Sequence, residues 1–363
     1  MKKIKVDLGP RSYLINIGSG ILKNAGDIIR GVNDSGSCFI VTNKRVRLLY
    51  SQTLRISLER AGLRVMFFDV ADSESAKSYL SWLKVVKALA GFDKGKGSCL
   101  VVSLGGGVVG DLSGFAASTY RRGIGFLQIP TTLLSQVDAA IGGKTAIDTD
   151  FAKNLIGAFH QPAAVISDIS VLKSLPARQT INGLSEVIKY AVIFDPHLFR
   201  YLEKNIKDIL NLGTANLEYI VTRCSRLKAG VVCVDEYENK GYRSVLNFGH
   251  TIGHAIETVT GYSNSINHGE AVAIGMLAAF SASVLLGMAD RSSYERLRNI
   301  IASAGLPVKI DGIRSSNILS AALYDKKTIN GKRRWILPVA IGHVVVCHDL
   351  PDYIIRQSLL NLY

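Results

Sequence analysis

The sequence predicts an α/β N-terminal domain with a Rossmann-like parallel sheet, followed by a mainly α-helical C-terminal domain. Three observations carry this. Short β-branched runs alternate with stretches of helical period through the first half. The alternation stops near Pro176, and beyond it apolar residues recur at three- and four-residue spacing over long windows. The length of 363 residues suits two domains, read here as 1–176 and 177–363, with an active site expected in the cleft between them.

Residues 3–17 alternate and break at Gly9-Pro10, the pattern of a β-hairpin. The runs at 38–42, 63–68, 99–104, 125–129 and 164–167 read as buried parallel strands. Helical period fills 44–61, 75–90, 110–118 and 131–139 between them. Further helices are expected over 181–193, 196–212, 217–234, 250–258, 271–286 and 293–304, and only 334–346 reads as extended.

A chain that is 48% hydrophobic and 20% charged is globular, which excludes disordered and fibrous classes. Its net charge of +14 invites anions. The basic residues come singly or in small groups such as Lys332-Arg333-Arg334, without interleaved aromatics, so a small anionic substrate is expected and nucleic acid is not. The five cysteines form no C-x-x-C, and Cys38 and Cys99 lie inside apolar runs, which fits a reducing cytoplasm. Lys2-Lys3 is not followed by the apolar stretch of a signal peptide. The longest apolar stretch, 271–289, reads as a buried helix, so no membrane span is expected.

The strand at 98–104 runs into Gly105-Gly106-Gly107, then Gly110, Asp111 and a helix. Glycines admit a phosphate close to the backbone, and a helix N-terminus offers free N–H groups. The spacing is not G-x-G-x-x-G, so the dinucleotide fingerprint is only approximated. Asp111 reads as a helix cap or as an acceptor for a ribose hydroxyl. Thr131, Thr132, Asp138, Lys144, Lys153 and Asn154 follow among glycines, without the G-x-x-x-x-G-K-[ST] of a P-loop. His250, His254 and Glu257 share one helical face, with His268 and Glu270 close behind. Zinc accepts two imidazoles and a carboxylate while keeping a position open. Spacing alone leaves the third ligand undecided. Glu186, in an otherwise apolar helix with Lys189 three residues on, is either a ligand or half of an ion pair.

Taken together, GGGVVGD, RRGIGFLQIPTTLLSQVDAAIGGKTAID, AKNLIGAFHQP, SEVIKYA, LNFGHTIGHAIE, NHGEAVAIGM and DKK resemble the 3-dehydroquinate synthase family, in the family's order, from about residue 72 to 327. The resemblance implies a cytoplasmic homodimer of the shikimate pathway with tightly held NAD and one divalent metal, zinc or cobalt. It implies the metal ligands Glu186, His250 and His268. On the cofactor side it implies Asp72, Glu74, Lys77, Gly107, Val108, Val109, Gly110, Asp111, Thr131, Thr132, Asp138, Lys144, Lys153, Val171, Leu172, Lys173 and Ser174. On the substrate side it implies Lys144, Asn154, Lys189, Lys228, Arg243, Asn247 and His254, with Arg122, Lys326 and Lys327 on the substrate phosphate. Arg122 would reach the neighbouring subunit's substrate.

The sequence departs from the family pattern at Ser185, Ala191 and Gln179, and the 235–243 loop is one residue longer. The implied substrate is 3-deoxy-D-arabino-heptulosonate 7-phosphate, whose two anionic ends give a use to the cations. Competing readings are a related sugar-phosphate cyclase, a metal-dependent alcohol or glycerol dehydrogenase, which needs no phosphate grip, and a nucleic-acid binder resting on charge alone.

Overall fold

Strands β1 (Lys2–Val6) and β2 (Tyr13–Gly18) form the expected antiparallel hairpin, pairing Lys2 with Ile17 and Val6 with Tyr13. They edge a seven-stranded sheet in the order β1-β2-β9-β6-β5-β3-β4. The other strands are β3 (Ser37–Asn43), β4 (Arg64–Val70), β5 (Cys99–Gly105), β6 (Phe126–Pro130) and β9 (Ala164–Asp168), all paired in parallel. The computed structural model describes residues 1–94, 99–150, 152–261, 265–324, 328–329, 332–348 and 350–363.

Alternate side chains of each strand enter opposite layers. Ile40, Val102, Leu127 and Ile166 pack beneath α1 (Ala25–Arg30) and α2 (Lys44–Arg60). Phe39, Val41, Val101 and Phe126 pack beneath α3 (Tyr79–Asp93) and α4 (Gly107–Thr119). From β3 the chain moves outward to β4, and from β5 it moves the other way to β6. The β3–β5 pair is therefore the switch point, and ligands bind beyond the carboxyl ends of strands at such a point.

Two elements here differ from the sequence reading. The expected helix over 131–139 is a short π-helical turn, Ser135–Ala139. The segment that follows, to which the sequence reading gave no strand, is a second hairpin, β7 (Lys144–Thr149) with β8 (Ala152–Phe159). Its apolar residues Leu155, Ile156 and Phe159 are exposed, so they gave no strand-like pattern of burial.

The helical part consists of α5 (Ala177–Phe194), α6 (Pro196–Leu210), α7 (Thr214–Val234), α8 (His250–Val259), α9 (His268–Leu285), α10 (Arg291–Ser303), α11 (Ser315–Tyr324) and α12 (Asp352–Leu360). The stretch read as one extended segment is the pair β11 (Lys332–Ala340) and β12 (His343–His348), joined by β10 (Thr328–Ile329). Neither α11 nor α12 was anticipated. Helix α9 has the length and mean hydropathy, 1.4, of a membrane span, but 78% of it is buried inside the protein.

The chain divides into two compact units, Met1–Leu175 with Leu217–Tyr237, and Pro176–Asn216 with Glu238–Tyr363. Leu217–Tyr237 thus groups with the sheet, where the sequence reading assigned it to the helical half. Long-range polar contacts tie this segment to the first unit. Lys2 Nζ lies 3.3 Å from a Glu218 carboxylate oxygen, Arg11 makes two hydrogen bonds to Glu236, and Lys228 pairs with Asp138.

Candidate active site

In the first unit, β5 ends at Gly105 and α4 starts at Gly107, with Gly106 as an N-cap that offers no side-chain acceptor. The first N–H groups of α4 are left open to an anion. Val109 is buried in the core, so at this turn it can offer a ligand only its backbone. Gly110 is buried, and a Cβ there would lie 2.7 Å from Gln128 Oε1, so this glycine serves helix–sheet packing. Asp111 is not the cap of α4. Its carboxylate sits 2.7 Å from Lys77 Nζ.

Lys77 is a hub. It is 4% exposed and also hydrogen-bonds Asn154, with Glu74 at 3.8 Å and Asp148 at 3.9 Å. Burial opposes its charge, and Asp111, Glu74 and Asp148 outweigh that, raising its pKa. Asp148 had no sequence signal of its own. It accepts a 2.7 Å hydrogen bond from the backbone N–H of Asn154, which holds a left-handed φ of 53°. Lys153 lies 3.9 Å from Glu74, while Lys144 stands exposed at the start of β7. Thr131 donates its N–H to Gly105 O, and Thr132 Oγ1 accepts from Ser135 N.

Asp72 and Ser174 line a cavity of about 540 Å³ together with Lys44, Arg45, Leu48 and Leu49. Those four were not foreseen; they follow β3 at the switch point. Asp72 accepts from Asn43 Nδ2 at 2.8 Å, and Ser174 Oγ meets Tyr50 Oη at 2.6 Å. Val171 and Leu172 are buried and Lys173 is exposed in the same 3₁₀ turn, Ile169–Ser174. An open helix N-terminus, an acid–lysine cluster beside it and a cavity of this size are a donor set that fits a dinucleotide.

In the second unit, Glu186, His250 and His268 converge, their ligand atoms all within 4.8 Å of one another. Both histidine Nε2 atoms stand 3.6 Å from Glu186 Oε1, and the Glu186 side chain is fully buried. Lys189 is 2% exposed and pairs with the same carboxylate, so Glu186 is ligand candidate and ion-pair member at once. His254 completes the cluster, its ring centroid 5.3 Å from that of His250 and 6.3 Å from that of His268. Burial disfavours charge on His268, and hydrogen bonds to Glu186 and Glu257 outweigh it, raising its pKa to about 10. Negative charge that holds a proton so firmly suits a cation, and two imidazoles with a carboxylate are a zinc- or cobalt-type donor set.

Local structure builds this convergence. Asn267 and Glu270 form a reciprocal capping box at the start of α9, fixing His268 at its first position. Asn182, one turn before Glu186, accepts from Gly269 N at 2.6 Å and ties α5 to α9. Glu270 is therefore no metal candidate, since it caps α9 and takes two hydrogen bonds from Arg178. Arg243 is buried at 3% exposure in the 3₁₀ turn Tyr242–Asn247, which also carries Asn247. Arg122 is exposed with a left-handed φ of 67°. Lys326 and Lys327 lie outside the described residues.

Residues 67–182 match the family described as 3-dehydroquinate synthase N-terminal, and 183–328 match 3-dehydroquinate synthase C-terminal. A 3-dehydroquinate synthase of Thermodesulfovibrio yellowstonii is 44% identical over 360 residues, covering 99% of both chains. Among solved structures, 2-epi-5-epi-valiolone synthase from Streptomyces hygroscopicus, with NAD+ and Zn2+ bound, is similar at a TM-score of 0.88 and 26% identity, covering 100% of this chain and 98% of that one. A 2-deoxy-scyllo-inosose synthase complexed with carbaglucose-6-phosphate, NAD+ and Co2+ shares the fold at a TM-score of 0.88, with 22% identity and 100% of both chains covered.

Proposed function

The chain belongs to the 3-dehydroquinate synthase family, and from that premise we propose that it converts 3-deoxy-D-arabino-heptulosonate 7-phosphate to 3-dehydroquinate and phosphate, in the shikimate pathway, using NAD and a divalent metal. The observation that carries the reading is the meeting of Glu186, His250 and His268 in three dimensions, within a chain matched along both halves of the family. When bound, NAD supplies a transient oxidation of one hydroxyl and the metal supplies Lewis acidity, which together acidify a neighbouring carbon–hydrogen bond.

The chain's own residues do the rest. The open N–H groups of α4 bind the diphosphate, and the cavity beside Asp72 and Ser174 takes the nucleoside. The Lys77 hub sets the orientation of Asn154 on the substrate side. Lys144, Lys189, Lys228, Arg243 and Asn247 bind the carboxylate and hydroxyls, and Arg122, with Lys326 and Lys327, binds the phosphate. The imidazole of His254 serves as the group that gives and takes the proton. Holding the seven-carbon chain in one conformer supplies the effective molarity for ring closure. The enzyme works in the cytoplasm as a homodimer, with Arg122 on the partner's substrate.

The test is direct. Metal-loaded protein with NAD and the heptulosonate phosphate should release one phosphate per carbocycle, with no build-up of NADH absorbance. Stoichiometric NADH would favour a dehydrogenase, and a different carbocycle would favour a related cyclase.

A further inference from the structure

Glu257 is the member of the histidine-rich motif to which the reading above gives no task. It is 9% exposed, and its Oε2 lies 3.5 Å from His268 Nδ1, on the side of the ring opposite the Nε2 that faces Glu186. His250 is arranged in the same way by a different acceptor. Its Nε2 faces Glu186, and its Nδ1 lies 3.2 Å from the backbone carbonyl of Phe248. One ring is thus held by a neutral dipole and the other by a full negative charge. A carboxylate behind a ligand histidine fixes its tautomer and raises its basicity.

We infer that Glu257 is the positioning residue of the metal centre, orienting His268 through Nδ1 and supplying the second negative charge of the buried cluster. The inference rests on the metal reading of Glu186, His250 and His268. Charge makes the second role necessary. Lys189 pairs with Glu186, so a divalent ion and an ammonium would otherwise face one carboxylate. Glu257 brings the net charge of the ion, Lys189 and the two carboxylates from +2 down to +1. It stands seven residues after His250 on α8, two turns along the same face, so one helix delivers both a ligand and the group that aims another.

His254, Glu257 and His268 also place ligand atoms within 4.8 Å of one another, which would suit a second ion. That ion would take Glu257 as a ligand instead of as the group behind His268, and stoichiometry separates the two assignments. Cobalt-loaded full-length protein is challenged with a chelator, and retained metal and the visible cobalt spectrum are recorded for wild type, Glu257→Ala, Glu257→Gln and His268→Ala. Wild type should hold one equivalent and His268→Ala none. Glu257→Ala should bind about 10- to 100-fold more weakly, with a shifted cobalt spectrum. Glu257→Gln keeps an acceptor oxygen without charge, so it should recover the spectrum and only part of the affinity.

Wild-type affinity and spectrum in both Glu257 variants would overturn the inference. So would wild type holding two equivalents, of which the variants lose only one. Full recovery of affinity by Gln would overturn the charge role. If Glu257→Ala does not fold, as circular dichroism would report, the Gln variant decides. Absence of metal from wild type would instead bring down the metal reading itself.

Discussion

Asp290 caps α10, accepting from Ser293 N at 2.7 Å and from the hydroxyls of Ser292 and Ser293 at 2.5 and 2.8 Å. The Ser292 hydroxyl, then Ser293, pull its carboxyl down to about 2 from 3.8. A carboxyl whose pKa is lowered by folding contributes stability above its unfolded value and loses it as pH falls toward the folded one. Asp290→Ala should therefore cost about 0.5–2 kcal/mol near neutrality. In denaturant titrations the gap between wild type and variant should close between pH 3.8 and about 2. A gap that persists below pH 2 would mean that the charge is not what caps the helix.

At the scale of elements, the crossing of α8 and α9 determines where His250 and His268 stand. A Cβ on Gly275 would lie 1.9 Å from the Gly249 carbonyl oxygen, and Gly249 itself has a left-handed φ of 79°. The two backbones touch, and a methyl cannot fit without moving α8. Gly275→Ala should cost about 1–3 kcal/mol and release the metal, while NAD binding to the first unit stays near wild type. Unfolding midpoints and metal content after dialysis check it; retained metal would show that the crossing has slack. The same scale shows what pattern-reading reached. Strands β3, β5 and β6 are buried on both faces, so their β-branched runs stood out. The β7–β8 hairpin did not, because lysines, aspartates and exposed apolar residues break its alternation. Glu257 and Glu270 looked alike in spacing; capping and Arg178 separate them, and neither is visible in a helical period.

At the scale of the whole molecule, the first unit is assembled from two stretches of chain. A fragment ending at residue 175 should therefore be less stable than wild type's first unit, leaving Asp138, Glu218's partner Lys2 and Glu236's partner Arg11 without their contacts. Lower protease resistance of 1–175 than of the full chain would be the readout; equal resistance would mean that Leu217–Tyr237 adds nothing. The same discontinuity bears on how the protein is made. On the ribosome, every strand of the sheet has been made by Asp168, yet the first unit is still incomplete. It waits for the 62 residues from 176 to 237, roughly 3–12 s at about 5–20 residues per second. Throughout that interval the edge carrying β1 lacks its pairs to Glu218 and Glu236, and a holding chaperone would find its substrate there.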